Sequence, residues 1–185
     1  MKNIILGITA SLLLSFTPSV SEAAWGKLWQ EFKSMDGKFR VLTPTGEMTE
    51  KTKKVKTDVG ELIFHQYIYK PDEKQDDNVF YLVNYCDYPQ GSFPKDSVGV
   101  IQEFLNTTVE SSARSVFGKV TYSNDIELQA NRGKIWRVQY NKGDAQIKSK
   151  CFLVGDRFYL LQVMTVKAKS LNLSIDKFLD SFYVF

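Results

Sequence analysis

Three stretches near the C-terminus constrain the fold most: residues 134–140, 146–154 and 157–166, each rich in β-branched and aromatic side chains. Such residues fit a pleated, half-buried surface, and runs of this length bounded by turn residues read as strands. The breaks between them are short, 141–144 and Gly155-Asp156, and each holds a glycine able to take the positive φ that a tight hairpin needs. The expected structure is an antiparallel meander. A final segment, 171–182, places Leu171, Ile175, Phe178, Leu179 and Phe182 at helical spacing, so a short amphipathic helix is predicted to close the sheet.

Upstream, residues 24–36 form a lead-in to the domain, in which the spacing of Leu28, Trp29 and Phe32 predicts a short helix over 25–32. Residues 37–44 alternate Phe39 and Val41 with Lys38 and Arg40, the period of a strand that Pro44 stops. Residues 48–57 carry Lys51, Lys53, Lys54 and Lys56 and lead through Asp58-Val59-Gly60 into an apolar run ending at Tyr69. This is the pattern of a hairpin whose first arm is an exposed edge guarded by lysines. Residues 79–87 are almost continuously apolar and predict an interior strand. Val98, Ile101, Phe104, Leu105, Val109, Ala113 and Val116 then recur every three or four residues, which predicts a long helix capped by Asp96 or Ser97 and ended by Gly118. Residues 119–129 predict a strand irregular near Ser123-Asn124, turning at 131–133. Strands, long helix, strands and short helix without βαβ alternation indicate an α+β fold, an antiparallel β-sheet covered by a long helix and a short C-terminal helix.

The 185 residues, 43% hydrophobic and 14% aromatic, suffice for one ordinary domain, expected over 37–185. The N-terminus adds a location. Lys2, an apolar stretch over 4–16 and small residues at Ser21 and Ala23 make a secretory signal peptide over 1–23, with cleavage after Ala23 or else Ala24. A periplasmic or secreted protein is expected. The apolar stretch falls short of the roughly 20 residues that span a bilayer, so no transmembrane segment is expected in the mature chain. The 24 basic and 21 acidic residues leave a net charge of +3, too mixed to indicate a nucleic-acid partner.

Candidate chemistry is sparse. His65 is the one histidine and lies mid-strand among aromatics; without a second histidine or Cys-x-x-Cys it forms neither a common zinc site nor a triad. No catalytic, metal or cofactor residues are assigned, and no cofactor is expected. Cys86 and Cys151 sit in apolar strands of an exported chain, where oxidation favours a disulfide if the strands are neighbours with Cα atoms within about 7 Å; otherwise they act as two small buried apolar residues. The loop of Asp72, Glu73, Asp76, Asp77 and Asn78 lacks calcium-loop spacing and reads as solvated. Trp25, Trp29 and Trp136 with Tyr81, Tyr85, Tyr140 and Tyr159 read as core rather than a ligand groove. The ending 182–185 is aromatic like a barrel strand, but the mid-chain helix argues against a barrel.

Three short motifs carry a resemblance: Gly37-x-Phe39-x-Val41-x-x-Pro44, Gly155-x-x-x-Tyr159-x-Leu161 and Phe178-Leu-Asp-Ser-Phe182. In this order the chain resembles the PsbP-like extrinsic photosystem proteins and the related bacterial exported domains. The resemblance implies an α-β-α sandwich and a non-catalytic exported module docking on a larger envelope or membrane complex. A small-molecule or lipid-binding protein with its pocket between helix and sheet is the alternative.

Overall fold

The computed structural model describes residues 29–72, 76–94 and 96–185. The leader, its cleavage position Ala23 and Trp25 lie outside them.

The chain forms β1 (Trp29–Ser34), β2 (Phe39–Pro44), β3 (Gly46–Thr57), β4 (Gly60–Pro71), β5 (Asn78–Asp87), α1 (Val98–Ser115), β6 (Lys119–Leu128), β7 (Asn131–Tyr140), β8 (Ala145–Val154), β9 (Arg157–Val166), α2 (Leu173–Asp180) and β10 (Tyr183–Val184). Seven strands make one sheet in the order β3-β4-β5-β9-β8-β7-β6, antiparallel throughout. The expected meander is its β7-β8-β9 core, and the expected interior strand, β5, lies between β4 and β9. A second sheet, β1-β2-β10, was not expected. With α2 it covers one face of the large sheet, while α1 packs on the other.

The second sheet arises because residues 29–34 form a strand rather than the expected helix. Trp29 and Phe32 are three residues apart, which reads as one helical face, but six backbone rungs to β2 outweigh that weak local preference. Phe39 of β2 is completely buried between the sheets. The rings of Phe32, Tyr67, Tyr85, Tyr159 and Phe182 stand 5.5–6.1 Å from it. Burying one such ring contributes about 2–3 kcal/mol. β10 pairs with Phe39 and Arg40, so the aromatic C-terminus is tied into this layer rather than a barrel.

The long helix covers less of the sheet than expected. Its apolar stripe, Ile101, Leu105, Val109 and Ala113, is buried and sits mainly over β6 and β7, where the indole N–H of the fully buried Trp136 donates to Ser112 Oγ at 2.7 Å. Phe104 reaches β9, meeting Phe158 edge-on at 5.3 Å. Ser97 is the N-cap but its side chain caps nothing. At the other end Phe117, not Gly118, takes the left-handed conformation with φ 51. Gly118 is needed for closeness, since a Cβ there would stand 2.5 Å from Val138 Cγ1.

Two further differences have local causes. The β6–β7 turn lies at Gln129-Ala130, both with positive φ, rather than at 131–133. Gly133 is instead inside β7, where a Cβ would come within 2.1 Å of the Cys151 carbonyl oxygen. The irregularity of β6 falls between Val120 and Tyr122 rather than at 123–124. In α2, Ile175, Phe178 and Leu179 are buried as expected, whereas Leu171 precedes the helix and is 97% exposed. Lys148 and Lys150 of β8 pair with Asp176 and Asp180 of α2. Two strand residues span about 6.7 Å and four helical residues about 6 Å, so the helix runs parallel to β8 with its charges in step.

Candidate functional site

The β3–β4 hairpin is longer than the sheet it belongs to. β3 and β4 pair over twelve rungs from Gly46–Pro71 to Thr57–Gly60, but β4 meets β5 only between His65–Tyr85 and Tyr69–Tyr81. The last five rungs, Lys53–Phe64 to Thr57–Gly60, therefore form a two-stranded ribbon, reaching about 17 Å past the last rung with β5. Its surface is basic and apolar together. Val59 and Ile63 are 50% and 42% exposed. The ribbon carries three lysines, Lys53, Lys54 and Lys56, against two acids, Asp58 and Glu61, and Lys54 pairs with Glu61 at 3.0 Å. As expected, β3 is a lysine-rich edge strand. The projection beyond β5 was not legible, because hairpin length is local while the extent of the neighbouring strand is set by pairing 20 residues away.

Where the ribbon leaves the body, a polar corner fixes its base. Arg157 of β9 holds Asp87 of β5 with two hydrogen bonds, from Nε and one Nη, and the other Nη donates to the Asp36 carbonyl at 2.7 Å. The fork lowers the Asp87 pKa below its ordinary value and raises that of Arg157. The guanidinium also stands 5.1 Å from the Tyr85 ring. His65 stacks on the same ring at 4.6 Å and 6°. Burial, then the neighbouring Tyr67, pushes the Tyr85 hydroxyl up to about 12. The corner therefore couples β4, β5, β9 and the β1–β2 turn, and the histidine serves as a stacked ring in it. Arg157 and Asp87 were not singled out from sequence; they are opposite one another only because β5 and β9, distant in the chain, are neighbours.

The two cysteines are free and buried. Both point to the α1 side of the sheet, but β9 runs between them: Cys86 faces Phe158 and Cys151 faces Leu160. Two inter-strand spacings put them on the order of 10 Å apart, beyond disulfide reach. Of the two readings, a disulfide or two buried thiols, the structure has the second, because the strands of Cys86 and Cys151 are not neighbours. Burial pushes both thiols up to about 12, so they behave as small apolar residues.

In the acidic loop, Asp76 accepts from the buried Tyr81 hydroxyl at 2.7 Å and from Asn78 at 2.8 Å. Asp77 pairs with Lys169. Among the described residues no group of three or more His, Cys, Asp or Glu side chains could hold a metal ion, and no helix is long and apolar enough to cross a membrane. Trp29, Trp136, Tyr81, Tyr85 and Tyr159 are buried core residues, and Tyr140 is half-buried.

No family model matches the sequence, and no curated protein matches it. The solution structure of cyanobacterial PsbP (CyanoP) from Synechocystis sp. PCC 6803 is similar, with a TM-score of 0.55 at 12% identity, covering 86% of this chain and 94% of that one. A crystal structure of a protein of unknown function from Pseudomonas aeruginosa aligns with a TM-score of 0.39 at 11% identity, over 76% of this chain and 85% of that one. The α+β architecture of this chain is thus a PsbP-like fold, the resemblance that its three short motifs imply.

Proposed function

We propose that this chain is an exported, non-catalytic interaction module that docks on a larger envelope or membrane-associated complex through the β3–β4 ribbon. The ribbon is the observation that carries the reading. A two-stranded hairpin without a third strand is marginal in water, yet this one displays Val59 and Ile63 among lysines that exceed their acidic neighbours. Apolar groups ringed by charge on a projecting element suit a surface that a partner covers. The excess of lysines favours an acidic partner and makes association sensitive to salt. Export rests on the composition of residues 1–23, with removal after Ala23 placing the mature chain in the periplasm or outside the cell.

Charge reversal tests the reading. Wild-type protein should co-migrate with a larger assembly in gently solubilised envelope, and Lys53→Glu/Lys56→Glu should run as a monomer with an unchanged melting temperature. A wild-type chain that is solitary in its own envelope, or a double variant that stays bound, contradicts it. The alternative, a small-molecule or lipid-binding protein, has separate support in a cleft beside α2.

A further inference from the structure

We infer that the cleft between the start of α2 and the β7–β8 face of the large sheet binds a monocarboxylate carrying a flexible apolar tail. This rests on the small-molecule reading and not on the docking role of the ribbon, which lies at the opposite end of the sheet.

The cleft has a volume of about 300 Å3 and is open to solvent along one side. Its sheet wall is made by Arg137 of β7 with Gln146 and Lys148 of β8, brought to one face by the antiparallel register that sets Arg137 opposite Lys148. Three observations converge there. Arg137 is half-buried, and its Nε–H is sealed from solvent without a hydrogen-bond acceptor, a costly state that an acceptor in the cleft relieves once the guanidinium turns that edge toward it. Its guanidinium also stands over the ring of Tyr122, its partner on β6, at 5.1 Å. Gln146, only 3% exposed, adds a buried amide to the same wall.

The charge and shape of the lining define the ligand. Lys148 is already paired with Asp176, so Arg137 is the remaining cation and the lining carries a net single positive charge. A planar carboxylate matches the fork of an Arg Nε–H and its neighbouring Nη–H with two parallel hydrogen bonds. The opposite wall alternates polar Ser170, Asn172 and Asp176 with apolar Leu171, Leu173 and the buried Ile175. Leu171 and Leu173 are 97% and 76% exposed, two leucines within three residues that the described residues leave largely uncovered. They line the same cleft as the cation, where an aliphatic tail would lie. A lone phosphate or sulfate would leave them wet, and a neutral alcohol would leave Arg137 uncompensated.

Titration of the full mature chain with sodium octanoate, acetate, 1-octanol and octylammonium tests this, followed by calorimetry and by the Arg137 Nε–H resonance in a nitrogen–proton correlation spectrum. Octanoate should bind at one site and move that resonance, acetate and octanol should each bind at least tenfold more weakly, and octylammonium should not bind. Arg137→Gln should weaken octanoate at least tenfold. Leu171→Ser/Leu173→Ser should weaken octanoate while leaving acetate unchanged. Octanoate that fails to bind, binds without moving the Arg137 resonance, or binds no better than octanol overturns the assignment, and the resonance decides the matter even where Arg137→Gln does not fold. Lys53→Glu/Lys56→Glu should leave octanoate binding intact, so failure of the docking reading and failure of this one are separable.

Discussion

Cys86 and Cys151 show how a residue's meaning depends on which strands become neighbours. Export and apolar surroundings argued for a bond, but strand order cannot be read from either cysteine's local sequence, and β9 between them forbids it. Titration with a thiol reagent near neutral pH should find no reactive thiol in the native protein and two after denaturation in guanidinium, because burial holds both far above the ordinary cysteine pKa. No thiol in the denatured chain would mean the cysteines are bonded. His65 was expected to be a structural or surface histidine, and it stacks on the Tyr85 ring. Arg137 and Arg157 carried no such signal. Each is one basic residue in a strand, and its significance comes from a buried N–H in one case and a forked carboxylate in the other.

At the scale of elements, periodicity did most of the work. The α1 stripe, the alternation in β2 and the three C-terminal strands follow from residues every 3.6 or every 2 positions, and the structure has them within a few residues. What failed was what periodicity cannot settle. Two aromatics three apart in β1 suit a helix face, and pairing with β2 overrides that local signal. Glycines raise the same ambiguity: Gly133 reads as a turn residue but sits in mid-strand because β7 and β8 approach too closely for a side chain. Gly133→Ala should lower stability by at least about 2 kcal/mol in urea unfolding, since its Cβ would meet a backbone oxygen that cannot swing aside. A loss under half of that would show that β7 can shift at no great cost.

For the whole molecule, the layers put many tyrosines in the core, with an effect on its pH range. Burial raises Tyr85, Tyr88, Cys86 and Cys151 to about 12 and Tyr69 and Tyr81 higher still, against about 10 for tyrosine and 8.5 for cysteine in an unfolded chain. The folded state therefore holds these protons where the unfolded chain releases them. Their contribution is fully present below about pH 8.5 and is lost as pH climbs toward 12. Denaturant midpoints should fall steadily over that interval, with the tyrosinate absorbance of Tyr69, Tyr81, Tyr85 and Tyr88 appearing only on unfolding; a midpoint flat to about pH 11 would contradict the buried placement. Asp87 acts in the opposite sense, its depressed pKa giving stability that is lost as pH falls below the ordinary carboxylate range.

The docking reading depends on the ribbon being the face that meets another molecule. A photo-activated cross-linker placed at Val59, and for comparison at Glu110 on the exposed side of α1, tests this in the native envelope. The Val59 probe should give one discrete adduct that disappears in Lys53→Glu/Lys56→Glu, and the Glu110 probe should give none. An identical adduct from both positions, or none from Val59, would show that the ribbon is not the docking surface.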